Sequence, residues 1–160
     1  MILRPLAAQE LAAHPGCTHM AIITADDLTT TAVTTAQLLK LCDLVAGDVI
    51  IRVEDYLVVP FEVVGTPGTD SLTRSIGDNA GVATWTAATE SNVNGTEVLN
   101  VFSATAPKLY TAADKVAVNF IPKTGTSTAQ VNKGELHVFF GILRVSQLSK
   151  GNTQSIISTK

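Results

Sequence analysis

The chain contains 160 residues with a formal net charge of −3, and its 11 lysines and arginines are scattered along the sequence. This length is typical of one domain that folds without a metal ion or a disulfide. Scattered basic residues give no electrostatic footprint for nucleic acid. No apolar run reaches the roughly 18 residues that cross a membrane, and the amino terminus lacks the apolar core of a signal peptide. We therefore expect a soluble protein made in the cytoplasm, with no membrane partner.

The surface is expected to carry little charge. Only 16% of the residues are charged, against about 25% in typical globular domains. A surface poor in charge and rich in threonine, alanine and valine indicates that identical subunits or a larger assembly cover part of it. The alternative is a β protein that is merely rich in threonine.

Residues 1–19 differ from the rest of the chain and are predicted to form an amino-terminal arm. Residues 5–14 combine good helix formers with a leading proline, and Pro15-Gly16 ends the segment. A helix of about ten residues is marginal in isolation, so the arm must dock. It either folds back on its own domain or reaches a neighbouring subunit.

Short predicted strands separated by turns follow from residue 20. The segments 35–42 and 48–59 alternate apolar and polar residues around the turn Ala46-Gly47-Asp48, and we expect them to pair as antiparallel neighbours. Pro60 is expected to end the second strand, because proline cannot donate to a central ladder. Further short strands are predicted at 71–76, 97–103 and 108–110, and Asn94-Gly95 predicts a tight turn.

The clearest strand patterns lie near the carboxyl end, in residues 115–121 and 135–145. In the first, Val116, Val118 and Phe120 alternate with Lys115, Ala117 and Asn119, which is the period of a strand with one buried face. The polar connection 122–134 between them is long enough to be a functional or a flexible loop. Strands recurring about every ten residues predict an all-β fold, an antiparallel β-sandwich of jelly-roll type with a short helical or extended arm. We divide the chain into an arm (1–19), a sandwich (20–148) and a tail (149–160).

No local motif indicates catalysis or a cofactor. The sequence lacks a nucleophile elbow, a phosphate-binding loop and a zinc-binding pattern. Asp26 and Asp27 are adjacent, but a calcium loop needs several more oxygen ligands. Cys17 and Cys42 are too few for a disulfide framework, and we expect both to stay reduced, Cys42 as a buried residue. We predict no enzyme, no metal and no cofactor.

Aromatic residues leave one alternative open. Trp85 is the only tryptophan and lies in a threonine-rich segment. It is predicted either to plug the core with its indole nitrogen on a carbonyl, or to serve as an aromatic contact for a protein or a sugar. In a carbohydrate-binding sandwich, Trp85, Tyr56 or Tyr110 would form the stacking platform.

Turns and strand edges over residues 20–148 carry a resemblance to a known family. The matching segments are Ala46-Gly47-Asp48-Val49-Ile50, Tyr56-Leu57-Val58-Val59-Pro60-Phe61, Ser91-Asn92-Val93-Asn94-Gly95-Thr96-Glu97-Val98, Tyr110-Thr111-Ala112-Ala113-Asp114-Lys115-Val116 and Lys133-Gly134-Glu135-Leu136-His137-Val138-Phe139. This succession resembles small β-sandwich structural proteins of tailed-bacteriophage particles. The resemblance implies a virion protein, most simply a capsid decoration (cement) protein on the outside of the head. A tail, neck or head-fibre component is the alternative.

Such a protein would bind through its extremities. We expect partner contacts from the arm, from the loop 122–134 and from the tail, and we predict seven contact residues: Leu6, Leu11, Lys123, Thr124, Thr126, Ile156 and Ile157. The partners implied are the major capsid protein of the same virion and neighbouring copies of the chain, with a trimer favoured. Many sites on one shell would add modest contacts by multivalency.

Overall fold

The computed structural model describes residues 1–64, 72–79, 81, 83–85, 89–91, 99–102, 107–123 and 125–144. Its strands are β1 (Ile2–Pro5), β2 (His19–Thr24), β3 (Gln37–Leu44), β4 (Asp48–Val63), β5 (Leu72–Gly77), β6 (Thr89–Glu90), β7 (Leu99–Phe102), β8 (Lys108–Leu109), β9 (Asp114–Pro122) and β10 (Val131–Arg144). One α-helix, α1 (Ala8–Ala13), and 3-10 turns at Ala25–Asp27 and Thr128–Gln130 complete the described elements. The predicted all-β sandwich is confirmed.

The strands form two antiparallel sheets. The first sheet has the order β1-β2-β10-β4-β7, with β8 also pairing with β4, and the second has the order β3-β9-β5-β6. The prediction that β3 and β4 pair is therefore wrong, because these strands lie in different sheets. The turn between them crosses from one sheet to the other, with Gly47 at a φ of +92° and its amide donating to the Tyr110 carbonyl at 2.8 Å.

The core lies between the sheets and is built from the alternation seen in the sequence. Strand β10 directs one set of side chains inward from the first sheet, and β9 supplies the facing set from the second. The buried inward residues of these two strands are Leu136, Val138, Phe140, Ile142, Val116, Val118 and Phe120. Burying each side chain of this size stabilises the fold by about 1.5–3 kcal/mol, so the two most regular stretches supply the centre of the core.

Strand β4 does not end at Pro60, contrary to expectation, but continues to Val63. The pairing of β4 with β10 shifts register between Lys133 and Glu135, and a proline is tolerated at such an irregularity. Gly134 lies at the shift with a φ of +148°, and an added Cβ would fall 2.1 Å from the Phe61 ring. The glycine therefore leaves room for Phe61, which packs edge-on against Phe120 across the core.

A buried ion pair joins the two sheets inside the sandwich. Arg74 on β5 donates from Nε to Asp55 Oδ2 at 2.6 Å and from Nη2 to Oδ1 at 3.1 Å. Its Nη1 donates to Ser91 Oγ at 2.9 Å. Arg74 and Asp55 are each 1% exposed, so their charges are compensated within the protein. Leu72 and Ile76 flank Arg74 on the same face of β5 and are buried.

Candidate functional site: the outer face of the first sheet

The amino-terminal arm begins as a strand, and the predicted helix is present but shorter than expected, at Ala8–Ala13 within residues 5–14. Strand β1 pairs with β2, with Ile2 opposite Ile22 and Pro5 opposite His19, and the helix is confined to α1. Glu10 holds the start of this short helix, since its carboxylate accepts from the Ala7 amide at 2.8 Å. Its hydrogen bond with Arg4 lowers the Glu10 pKa to about 2. The arm thus folds back along its own first sheet.

The arm covers part of the outer face of that sheet with apolar side chains. Leu6 and Cys17 from the arm pack on Met20 and Phe139 to form a second buried cluster, separate from the core. The Leu6 amide donates to the carbonyl of Thr18 at 3.0 Å. The arm therefore packs against this part of the outer face and buries its apolar side chains.

A histidine on the arm binds a buried carboxylate beneath it. The His14 ring stacks on Phe139 with centroids 3.7 Å apart, and its Nδ1 lies 2.7 Å from Glu54 Oε2. Arg52 Nε donates to the other Glu54 oxygen. Burial, assisted by the Glu54 charge, raises the Cys17 pKa to about 12, so this thiol stays protonated and unreactive. These groups fasten the arm to the sheet.

The arm crosses strand β10 where Gly16 of the arm meets Gly141 of β10, at the edge of the covered part of the sheet. A Cβ added to Gly141 would lie 1.8 Å from the carbonyl oxygen of Gly16 and 2.7 Å from Ile51 Cγ1. Gly16 itself has a φ of +89°, a conformation that other residues rarely adopt. Two glycines therefore permit the close approach of arm and sheet.

Beyond this crossing the outer face of the first sheet is uncovered and apolar. Leu143 on β10 is the register partner of Val49 on β4, and Val49 is in turn the partner of Leu109 on β8. Ile51 lies on the same face, next to Gly141. Leu109, Leu143 and Ile51 are exposed and Val49 is half-buried. We call these four residues the apolar patch.

The predicted contact residues of the arm lie in different environments. Leu6 is only 8% exposed and packs within its own chain, whereas Leu11 on α1 is 44% exposed. Leu6 therefore stabilises the arm, and Leu11 is the one of these two predicted contact residues that is exposed.

The predicted loop 122–134 is shorter than expected, because β9 includes Pro122 and β10 starts at Val131. Thr128 is buried and its hydroxyl donates to Gln37 Oε1 at 2.6 Å. Lys123 is exposed and Thr126 is half-buried, with the Thr126 carbonyl accepting from the Thr34 amide at 2.7 Å. Part of this connection is therefore anchored to the sandwich. Thr124, Ile156, Ile157 and the Asn94-Gly95 turn lie outside the described residues.

Trp85 fills the end of the sandwich and is 4% exposed. The predicted carbonyl partner is missing, since its indole nitrogen has no hydrogen-bond acceptor among the described residues. Tyr110 beside it is also buried and donates from its hydroxyl to Asp78 Oδ2 at 2.7 Å. Burial alone would raise the Asp78 pKa, but hydrogen bonds from Lys108, Tyr110 and Thr84 lower it to about 2. Trp85 and Tyr110 cannot stack on a sugar, because their faces are not accessible.

Two of the remaining candidate groups, Asp27 and His137, make contacts within the chain. Within the described parts of the chain, no three histidine, cysteine, aspartate or glutamate side chains are grouped to hold a metal ion. Asp27 instead accepts from the Thr24 amide at 2.8 Å and pairs with the amino terminus. His137 lies on the outer face of the first sheet, and its Nε2 is 2.6 Å from Glu135 Oε1. Among the described helices, none has the length and apolar character needed to span a membrane.

Comparison with known proteins identifies structural neighbours. No family model and no curated protein matches the sequence. A chain of the cyanophage Pam1 capsid asymmetric unit is similar in structure, with a TM-score of 0.56 and 17% identity over 76% of this chain and 79% of the other. A chain from the capsid of Ralstonia phage GP4 has a TM-score of 0.49 and 16% identity over 79% and 84%. At this identity, the likeness to the Pam1 chain shows a shared fold.

Proposed function

We propose that the chain is a non-enzymatic structural protein of a bacteriophage virion, and specifically a capsid decoration protein. The observation that carries this proposal is the fold shared with a chain of the Pam1 capsid asymmetric unit. The segments that resemble tailed-phage structural proteins in the sequence support the same conclusion. Strands β2 to β5 lie alternately in the two sheets, as do β8 to β10, and these crossings between sheets also favour the predicted jelly-roll type.

The organisation of the molecule suits a component that binds without reacting. Its most buried charged groups are paired internally: Arg74 pairs with Asp55 in the core, and Arg52 pairs with Glu54 under the arm, where His14 also contacts Glu54. An exposed apolar patch lies beside the docked arm. A decoration protein needs such a rigid body and uncovered binding surface, and repeated copies on one shell strengthen modest contacts by multivalency.

The partners of a decoration protein would be the major capsid protein and neighbouring copies of this chain, on the exterior of the head. A trimer is the arrangement that we favour. A tail, neck or head-fibre component is the rival within the same class. A carbohydrate-binding sandwich is disfavoured, because Trp85 and Tyr110 are buried.

The number of copies per virion distinguishes these roles. Purified particles that carry the chain would be analysed by quantitative mass spectrometry against their major capsid protein. We expect a fixed ratio of this chain to the major capsid protein, close to the ratio for a binding site that is repeated over the whole shell. A ratio that corresponds to a single ring or fibre would instead assign the chain to the neck or tail, and absence of the chain from purified particles would reject a virion role.

A further inference from the structure

Few buried groups attach the amino-terminal arm to the sandwich. Among the residues of the arm, all of which the structure describes, only Leu6 and Cys17 are buried. They belong to a small cluster with Met20 and Phe139, which is separate from the core between the sheets. Segments with few buried apolar contacts open at a lower free energy than the core of a protein. The arm is therefore held less strongly than the strands beneath it.

The two elements of the arm cannot hold themselves in place. Helix α1 spans six residues and buries none of them, whereas an isolated helix needs about 12–15 residues. Strand β1 lies at the edge of the first sheet. Its side chains Ile2 and Leu3 point to opposite faces of the strand, yet both are exposed. Both elements depend on the contacts that dock the arm, and loss of those contacts would release them together.

The docking contacts centre on His14. Its ring stacks on Phe139, and its Nδ1 lies 2.7 Å from the carboxylate of Glu54, which is 1% exposed. The other oxygen of this carboxylate accepts a hydrogen bond from Arg52. Removing the only partner of a buried charge is costly, but Glu54 keeps Arg52 when His14 leaves. The contact of His14 can therefore break without leaving a buried charge unpaired.

The chain has a hinge where the arm joins the sandwich. Gly16 has a φ of +89°, and glycine adopts many backbone conformations, as a hinge residue must. Two residues later the chain is fixed to β10. The Thr18 amide donates to the Phe140 carbonyl at 3.0 Å, and the Thr18 hydroxyl accepts from the Ile142 amide at 3.1 Å. Rotation at Gly16 would therefore move residues 1–16, which we call the strap, while β2 keeps its place.

We propose that the strap opens as one unit about Gly16 while the sandwich stays folded, with His14 as its latch on Glu54. Opening uncovers Met20 and Phe139, which the closed strap buries. The protein thus has a closed state and an open state that presents this apolar surface. The inference does not depend on the proposed virion role.

Hydrogen exchange of the full-length chain, followed by NMR, tests the proposal. The amides of Leu6 and His14 donate to the carbonyls of Thr18 and Glu10, so each is protected by a hydrogen bond of the closed strap. We expect the two amides to share one protection factor, at least about 100-fold below that of the β9 amides. Protection equal to that of β9, or two unrelated protection factors, would overturn the proposal.

A core variant separates opening of the strap from unfolding of the whole domain. Val118 on β9 is fully buried in the core, in the sheet that the strap does not touch. Val118→Ala destabilises the whole sandwich and should lower the protection of the β9 amides about tenfold or more. The amides of Leu6 and His14 should keep their wild-type protection. Parallel losses in β9 and in the strap would mean that the strap opens only when the sandwich unfolds, and would overturn the proposal.

Two matched histidine variants test the latch. The side chains of His14 and His137 are 17% and 22% exposed, and each lies beside Phe139 and contacts a glutamate. His14→Ala should lower the protection of the Leu6 amide at least about tenfold, whereas His137→Ala should leave it close to the wild type. Circular dichroism would establish that both variants are folded. Equal protection of the Leu6 amide in the two variants would overturn the role of His14 as the latch.

Discussion

Replacing Asp55 should severely destabilise the sandwich, because it would remove the carboxylate that binds the buried Arg74 guanidinium. Arg74 is 1% exposed and makes two hydrogen bonds to the Asp55 carboxylate, at 2.6 and 3.1 Å. Removing one member of such a pair costs about 3–5 kcal/mol, and the guanidinium cannot lose its proton to escape the penalty. A domain of this size has a total stability of roughly 5–15 kcal/mol. Asp55→Leu should therefore remove a large part of it.

The comparison with Arg74→Met and with the double variant isolates the cause. In Arg74→Met the remaining carboxylate can take up a proton, so we expect a smaller loss than in Asp55→Leu. The double variant Asp55→Leu/Arg74→Met removes both charges of the pair and should regain most of the stability, since apolar replacement of a buried pair is often neutral or stabilising.

Urea unfolding at pH 7, followed by circular dichroism, measures these differences. A loss of about 4 kcal/mol in Asp55→Leu corresponds to a fall in Tm of about 8–16 °C. Losses in the two single variants that simply add in the double variant would refute the reasoning, because independent sites are additive and a coupled charge pair is not.

Other predictions concern the arm and the acid stability of the fold. In thermal or urea unfolding, Leu6→Ala should cost about 2–4 kcal/mol, whereas Leu11→Ala, a matched control on the exposed face of the arm, should cost less than about 0.5 kcal/mol. Gly141→Ala should displace the arm at Gly16, seen as faster proteolysis near residue 16; wild-type cleavage rates would contradict the crossing. Because its folded pKa is lowered to about 2 from an ordinary value of 3.8, Asp78 should contribute on the order of 2 kcal/mol at neutral pH. That stability is present above pH 4 and lost as pH falls toward 2, and Asp78→Asn should flatten this part of the pH–stability curve.

The fold class could be predicted because hydrophobic alternation is a local signal. Strands β9 and β10 alternate so regularly that their buried faces are visible in the sequence, and both proved to be core strands. Pairing is not local, and this is why β3 and β4 were wrongly expected to be neighbours. A short turn such as that at Gly47 joins strands within one sheet or carries the chain to the other, and the sequence of the turn does not distinguish the two.

The candidate site was harder to predict because it depends on which face of a strand a distant segment covers. The helix predicted in residues 5–14 is present as α1, whereas the pairing of strand β1 with β2 is a tertiary interaction that the local sequence does not show. Arg74 between Leu72 and Ile76 was a usable signal, since a charge on the inward side of an alternating strand requires a buried partner. Its partner Asp55 is 19 residues away in the sequence, and nothing in the neighbouring sequence identifies Asp55 as the partner. The apolar patch appears only when β10, β4 and β8 are placed side by side.

The most direct test of a virion role is the stoichiometry of this chain in purified, intact particles relative to the major capsid protein. The account predicts a constant ratio that persists through density-gradient purification and matches a site repeated across the head lattice. Finding the chain free in the lysate, with particles that contain none of it, would contradict the account.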